Sequence, residues 1–123
     1  DLALDTFPYN GHTNTNDLLW MGVPIVTTAG RSFAARAAGS ILTAHGFAEL
    51  ATASLAEYEV LASALARDPI RLAAMRERMR LGRERSSLFD TPRYCAQLEA
   101  AYRIMYERWR AGEAPAPIHV EPV

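Results

Sequence analysis

The segment Tyr9-Asn10-Gly11-His12-Thr13-Asn14-Thr15-Asn16-Asp17 is the most informative run in this sequence for chemistry, a dense series of polar donors after a turn. Asn10-Gly11 is strong turn chemistry, and a helix is predicted from about His12 or Thr13 to Met21. Gly11 lets the backbone turn tightly and lets a ligand approach the main chain. The first N–H groups of a helix lack intrahelical partners and sit at the positive end of its dipole, which suits an anion. His12, Thr13, Asn14 and Thr15 add imidazole, hydroxyl and amide donors. The segment holds no Lys or Arg, so a phosphate would be held by neutral donors. Asp17, about one turn further in, can accept hydrogen bonds from a ribose diol. A plain helix cap at Thr13 or Asn14 is the alternative, since Thr and Asn are common at such positions. The segment is neither a P-loop, which needs Gly-Lys-Ser/Thr, nor a dinucleotide fingerprint.

The elements that must position this segment are short. Leu2 to Leu4 predicts a buried strand ending at Asp5, and Gly22 stops the first helix. Val23 to Thr27 is a second strand. Ser32 can cap a helix from Phe33 to about Ala44, with Gly46 as its stop. Glu49 to Thr52 is a third short strand. Ser54-Leu55-Ala56-Glu57 is a capping box, followed by Leu55, Tyr58, Leu61, Ala62 and Leu65 at helical spacing. Asp68-Pro69 starts another helix, with Leu72, Met75 and Met79 on one apolar face. Asp90-Thr91-Pro92 opens a last helix to about Ala111, with the stripe Tyr94, Leu98, Ala101, Met105 and Trp109. Glu113 to Val123 carries three Pro and reads as an extended, weakly ordered tail. Short strand–helix alternation implies α/β architecture: a parallel sheet with crossover helices, here followed by a helical segment. Ligands of such sheets bind beyond the C-terminal ends of the strands, which is where residues 9–17 fall.

Composition narrows the class. The chain has 123 residues and a net charge of −1, which argues against a nucleic-acid partner. All 13 basic residues are Arg. No apolar stretch approaches the ~20 residues of a membrane span. The single Cys excludes an internal disulfide and suits a reducing compartment, hence the cytoplasm. Metal-ligand spacings are absent: no His-x-x-x-His, Cys pair or Asp-x-Asp occurs. The opening Asp1-Leu2-Ala3-Leu4-Asp5 lacks Met and the features of a signal peptide. It reads as a piece of a longer protein cut at or near a domain boundary.

Other residues have structural explanations. Cys95 is expected to be a buried, inert thiol, and His45 to interact favourably with its helix C-terminus. Trp20 and Met21 are expected to pack their helix onto the sheet. Arg76, Arg78, Arg80, Arg83 and Arg85, with Glu77 and Glu84, read as a solvated face. One of Arg31 and Arg36 can order the loop after the second strand.

Several separate stretches, in order, carry a resemblance. Leu4-Asp5-Thr6-Phe7-Pro8-Tyr9-Asn10-Gly11-His12-Thr13, Asp17-Leu18-Leu19-Trp20-Met21-Gly22-Val23-Pro24-Ile25-Val26-Thr27 and Ala29-Gly30-Arg31-Ser32-Phe33-Ala34-Ala35-Arg36 resemble the nucleotide-binding half of O-linked N-acetylglucosamine transferases, bacterial ones most closely. Ala56-Glu57-Tyr58, Ser87-Leu88-Phe89-Asp90-Thr91 and Tyr106-Glu107-Arg108-Trp109 continue it, so it spans residues 1–112. The resemblance implies a GT-B architecture of two Rossmann-like domains with the active site between them. This chain would be the C-terminal, UDP-binding portion, with an α/β core over residues 1–52, a helical part over 54–112 and a Pro-rich tail over 113–123. It implies a donor substrate, UDP-N-acetylglucosamine, whose sugar goes to Ser or Thr hydroxyls of an acceptor protein, with no cofactor and no metal. Carried over, Gly11, His12, Thr13 and Asn14 would meet the phosphates and Asp17 the ribose hydroxyls. Many members of the family have a second Thr where this chain has Asn14, whose amide still donates. A Lys and a base-reading segment, the N-terminal half of the catalytic region and acceptor-binding tetratricopeptide repeats would lie upstream. Similar sequences also use UDP-glucose with Asn acceptors or GDP-fucose with Ser or Thr, and a non-catalytic nucleotide-binding or packing module is the reading from another class. In the implied reaction negative charge grows on the departing diphosphate, and donors fixed beforehand stabilise it without reorganising.

Overall fold

In the computed structural model, which describes residues 1–121, the chain runs β1 (Ala3–Leu4), α1 (Thr13–Trp20), β2 (Ile25–Thr28), α2 (Ala37–Ala44), a 3₁₀ turn (Ala48–Leu50), β3 (Ala51–Thr52), α3 (Leu55–Arg67), α4 (Pro69–Gly82), a second 3₁₀ turn (Arg83–Arg85) and α5 (Thr91–Arg110). The strands form a parallel sheet in the order β1-β2-β3. Ala3 lies opposite Ile25, and Thr27 lies opposite Ala51. This is the α/β architecture with crossover helices that the sequence predicts. All four β2 residues are buried. Neighbouring strand residues point to opposite faces, so β2 is covered on both, as a parallel strand should be. α1, α2 and α3 all pack on it.

Asp1–Phe89 and Asp90–Val123 are two compact units. The first has a core of Leu19, Ile25, Val26, Leu42, Phe47, Leu50, Leu65, Met75 and Met79. Its helices end and start as their sequences require. Gly22, at φ +69°, takes the left-handed conformation after α1 that a side chain would resist. Ser54 Oγ accepts from the Glu57 N–H, while the Glu57 carboxylate accepts from the Ala53 N–H, one residue earlier than a capping box prescribes. Asp68 caps α4 through the Arg71 N–H.

Several expectations are corrected. α2 begins at Ala37 and not at Phe33. The Ala34 and Ala35 carbonyls accept from the Asn10 and Gly30 N–H groups, so this stretch turns back towards two loops instead of starting a helix. Trp20 and Met21 are largely exposed, and Leu19 and Thr15 are the residues α1 buries. Trp20 instead meets the Phe89 ring edge and the Arg83 guanidinium, 4.5 Å from its ring centre. The arginines of α4 and its following turn are not merely solvated. Arg76 pairs with Asp1, and Arg78 pairs with Glu49 while covering the Phe47 ring. Arg83 also donates to the Trp20 carbonyl. In the second unit, Asp90 caps α5 through the Arg93 N–H. α5 buries none of its residues, and Cys95 is exposed rather than buried. The tail is less loose than expected: Arg108 donates to the Ala116 and Pro117 carbonyls. Pro122 and Val123 of that tail lie outside the described residues.

His45 differs most from its expectation. It does cap α2, but its ring is buried, stacked on Phe47 and in a T-shaped contact with Phe89. Nδ1 lies 2.8 Å from Ser86 Oγ, a hydrogen bond in either tautomer. Burial pushes its pKa below the usual 6.5, so the neutral ring is the native form. An unfolded chain takes up the proton more readily than the native one. Stability is therefore fully present above about pH 7 and is lost as pH falls below about 6.5. Urea unfolding should show this fall as pH drops below about 6.5, flattened in His45→Phe. An identical slope in the variant would contradict it.

Candidate functional site

The Asp5 carboxylate, just past the end of β1, organises the loop that follows. Its Oδ1 accepts from the Gly11 N–H at 2.7 Å and from the Thr6 N–H at 2.9 Å. Its Oδ2 accepts from the Thr27 hydroxyl of β2 at 2.6 Å. The Asp5 N–H is held by the Val26 carbonyl, and its own carbonyl accepts from the Tyr58 hydroxyl of α3 at 2.9 Å. Burial, then the charge of Asp5, raises the Tyr58 pKa above 10, which keeps the phenol protonated to donate.

Asn10 is fully buried beneath the loop. Its amide donates to the Thr6 carbonyl and its backbone N–H to the Ala34 carbonyl. Thr15, also fully buried, donates to the Gly11 carbonyl at 2.8 Å. A Cβ on Gly11 would lie 3.0 Å from Thr15 Oγ1 and 3.3 Å from Asp5 Oδ1, so any side chain there presses on both anchors.

These bonds set the start of α1. His12 is the residue before the helix, and no side chain caps it. The first helical bond runs from the Asn16 N–H to the His12 carbonyl. Among the described residues, the Thr13, Asn14 and Thr15 N–H groups have no protein acceptor. A plain cap by Thr13 or Asn14 is therefore not present: both lie inside the first turn, exposed. The structure thus brings Gly11, His12, Thr13 and Asn14 together around an uncapped helix N-terminus. Asp17 is exposed one turn further along the same helix. Arg36 orders the loop after β2 by donating to the Gly30 carbonyl at 3.3 Å. Arg31 is exposed.

The sequence reading missed Asp5, Thr27 and Tyr58 as parts that hold this site, and it took the Thr15 hydroxyl for a ligand donor, whereas that hydroxyl is buried and donates to the Gly11 carbonyl. Two signals were available: an Asp at a strand end before an Asn-Gly turn, and Thr27-Thr28 where a buried parallel strand would otherwise be aliphatic. Tyr58 lies too far along the chain for local pattern to reveal.

The site is an uncapped helix start beyond the strand ends of a parallel sheet, the place where ligands of open α/β sheets bind. The family model for glycosyl transferase family 41 matches residues 1–98. A probable UDP-N-acetylglucosamine–peptide N-acetylglucosaminyltransferase, SPINDLY, of Oryza sativa subsp. japonica is 42% identical over 116 residues, covering 94% of this chain and 12% of that protein. The UDP-N-acetylglucosamine–peptide N-acetylglucosaminyltransferase of Caenorhabditis elegans is 40% identical over 112 residues, 91% of this chain and 10% of that protein. A solved mutant of the Thermobaculum terrenum O-GlcNAc transferase superposes with a TM-score of 0.77 at 43% identity, covering 85% of this chain and 20% of that one. The chain belongs to glycosyl transferase family 41. It spans about a tenth of the length of the curated relatives it matches.

Replacing Asp5 by Ala removes the acceptor of three hydrogen bonds and should destabilise the protein by about 1.5–3 kcal/mol, the range for bonds to a charged group. Thr27→Val should cost about 1 kcal/mol, since it leaves one carboxylate oxygen unpaired. Denaturant unfolding checks both, and two unchanged midpoints would show that Asp5 does not anchor the loop.

Proposed function

We propose that the N-terminus of α1 binds the diphosphate of a UDP sugar, in a protein that moves N-acetylglucosamine from UDP-N-acetylglucosamine to Ser or Thr hydroxyls of other proteins. One observation carries this reading: an uncapped helix start with unpaired N–H groups, fixed in place by Asp5 and Thr15. The names of the relatives supply the sugar and the acceptor class.

In this reading Gly11 gives the phosphates access to the backbone. The N–H groups of the first turn, with His12, Thr13 and Asn14, donate to phosphate oxygens. Asp17 accepts from the ribose hydroxyls. Charge grows on the leaving diphosphate as the sugar departs, and donors already aimed there meet it without reorganising. His12 serves as one of these donors rather than as the base for the acceptor hydroxyl. The nucleotide sugar is the donor substrate and UDP the product, with no cofactor invoked. The acceptor protein and the N-terminal half of the catalytic region are the partners, contributed through other parts of the protein. Among the described residues no helix is long and apolar enough to cross a membrane, and a lone Cys suits the cytoplasm, where we place the protein.

Calorimetry on the intact protein should show UDP binding well above GDP binding. Preference for GDP would favour a fucose donor, and no nucleotide binding would leave a packing module. Asp17→Ala should weaken UDP binding by about 1.5–3 kcal/mol, the loss of a charge-assisted hydrogen bond. His12→Ala should lower turnover by about 10²–10³, as loss of an oxyanion donor does, with a smaller loss of UDP affinity. Near-normal turnover per folded molecule would reduce His12 to a packing residue.

A further inference from the structure

We infer that Tyr9 and Phe33 are positioning residues that hold the His12 imidazole by its ring faces and edges, so that it meets the diphosphate in one orientation. The inference rests on the diphosphate site proposed above. His12 makes no side-chain cap bond, and its Nε2 is enclosed without a hydrogen-bond partner among the described residues. Polar bonds therefore do not fix this ring. Its neighbours are aromatic instead. Tyr9 lies nearly parallel to it, with centroids 5.4 Å apart and planes 16° apart. Phe33 approaches at 5.9 Å and 87°, edge to face. Both are favoured geometries for aromatic pairs.

The loops are built to deliver these two rings. The Thr6 hydroxyl donates to the Tyr9 carbonyl, tying Tyr9 to the residue after Asp5. On the other side, the turn that delays the start of α2 carries Phe33. That turn is pinned by the Asn10 N–H on the Ala34 carbonyl and by the Gly30 N–H on the Ala35 carbonyl. A Cβ on Gly30 would stand 2.5 Å from the Ala35 Cβ and 3.1 Å from Phe7, so the close approach of these loops leaves room for no side chain there.

Tyr9 and Phe33 are 66% and 83% exposed. Large exposed aromatics contribute little to a core, so their placement against one imidazole is explained by the imidazole. A donor held before reaction begins loses no rotational freedom when charge develops. Without the clamp, His12 must be ordered during the reaction. Immobilising one side chain at that stage corresponds to about two- to tenfold in rate.

The test is a double-mutant cycle in the intact protein, reading turnover and UDP affinity together. Tyr9→Leu should lower turnover by about two- to tenfold while changing UDP affinity less. Tyr9→Phe, which keeps the stack, should restore it. In a His12→Ala background Tyr9→Leu should have no further effect, because nothing is left to position. Wild-type turnover in Tyr9→Leu would overturn the inference. So would an equal loss in both backgrounds, which would show that Tyr9 acts on the ligand or the fold directly. Calorimetry with UDP on the unmutated protein separates the two levels: absence of binding defeats the diphosphate site itself, whereas binding together with an inert Tyr9 defeats only the clamp.

Discussion

The Asp5 carboxylate ties both ends of the loop after β1 to the neighbouring strand β2. It accepts from the loop after β1, from the glycine before α1 and from a hydroxyl on β2. Hydrogen bonds to an ionised acceptor are stronger than neutral ones, and these share one carboxylate. The position of Gly11 relative to the sheet follows, and with it the direction in which α1 starts. Tyr58 extends the arrangement to α3 by donating to the Asp5 backbone. An anion site made of backbone N–H groups works only if the backbone is rigid. The loop before α1 draws its rigidity from the Asp5, Asn10 and Thr15 side chains, each bonded to its backbone.

Much of this architecture is readable from sequence because the signals are local. Glycines and capping residues mark the helix ends, and Leu72, Met75 and Met79 repeat at helical spacing. The failures share a different cause: tertiary bonds that compete with local ones. Ser32 is a sound N-cap in isolation, and its hydroxyl does accept from the Ala35 N–H. The Ala34 and Ala35 carbonyls are nonetheless drawn to Asn10 and Gly30, so α2 starts later. Trp20 has the apolar surface of a core residue, but it meets Arg83 and Phe89 in place of the sheet and stays half exposed. His45 illustrates competition between a favourable helix end and burial, and burial wins.

Residues of the site itself were legible where chemistry is carried by residue type, as in the donor-rich run after Gly11. The supporting residues were not. A hydroxyl on β2 or a phenol on α3 becomes meaningful only once the sheet places it beside Asp5. Asn10 shows the same division: the sequence marks it as a turn former, whereas the fold buries it completely as a strut between the loops of residues 6–11 and 30–36. The donor-rich run and most of the frame behind it thus come from separate stretches of chain, Asp5, Thr27 and Tyr58 lying outside residues 9–17.

Hydrogen–deuterium exchange of the intact protein with and without saturating UDP tests the central claim most directly. The N–H groups of Thr13, Asn14 and Thr15 lack protein acceptors and should exchange quickly without nucleotide. If they receive the diphosphate, UDP will slow exchange in peptides covering residues 11–16 while leaving α5 unchanged. Bound UDP that leaves exchange across residues 11–16 untouched would contradict the account.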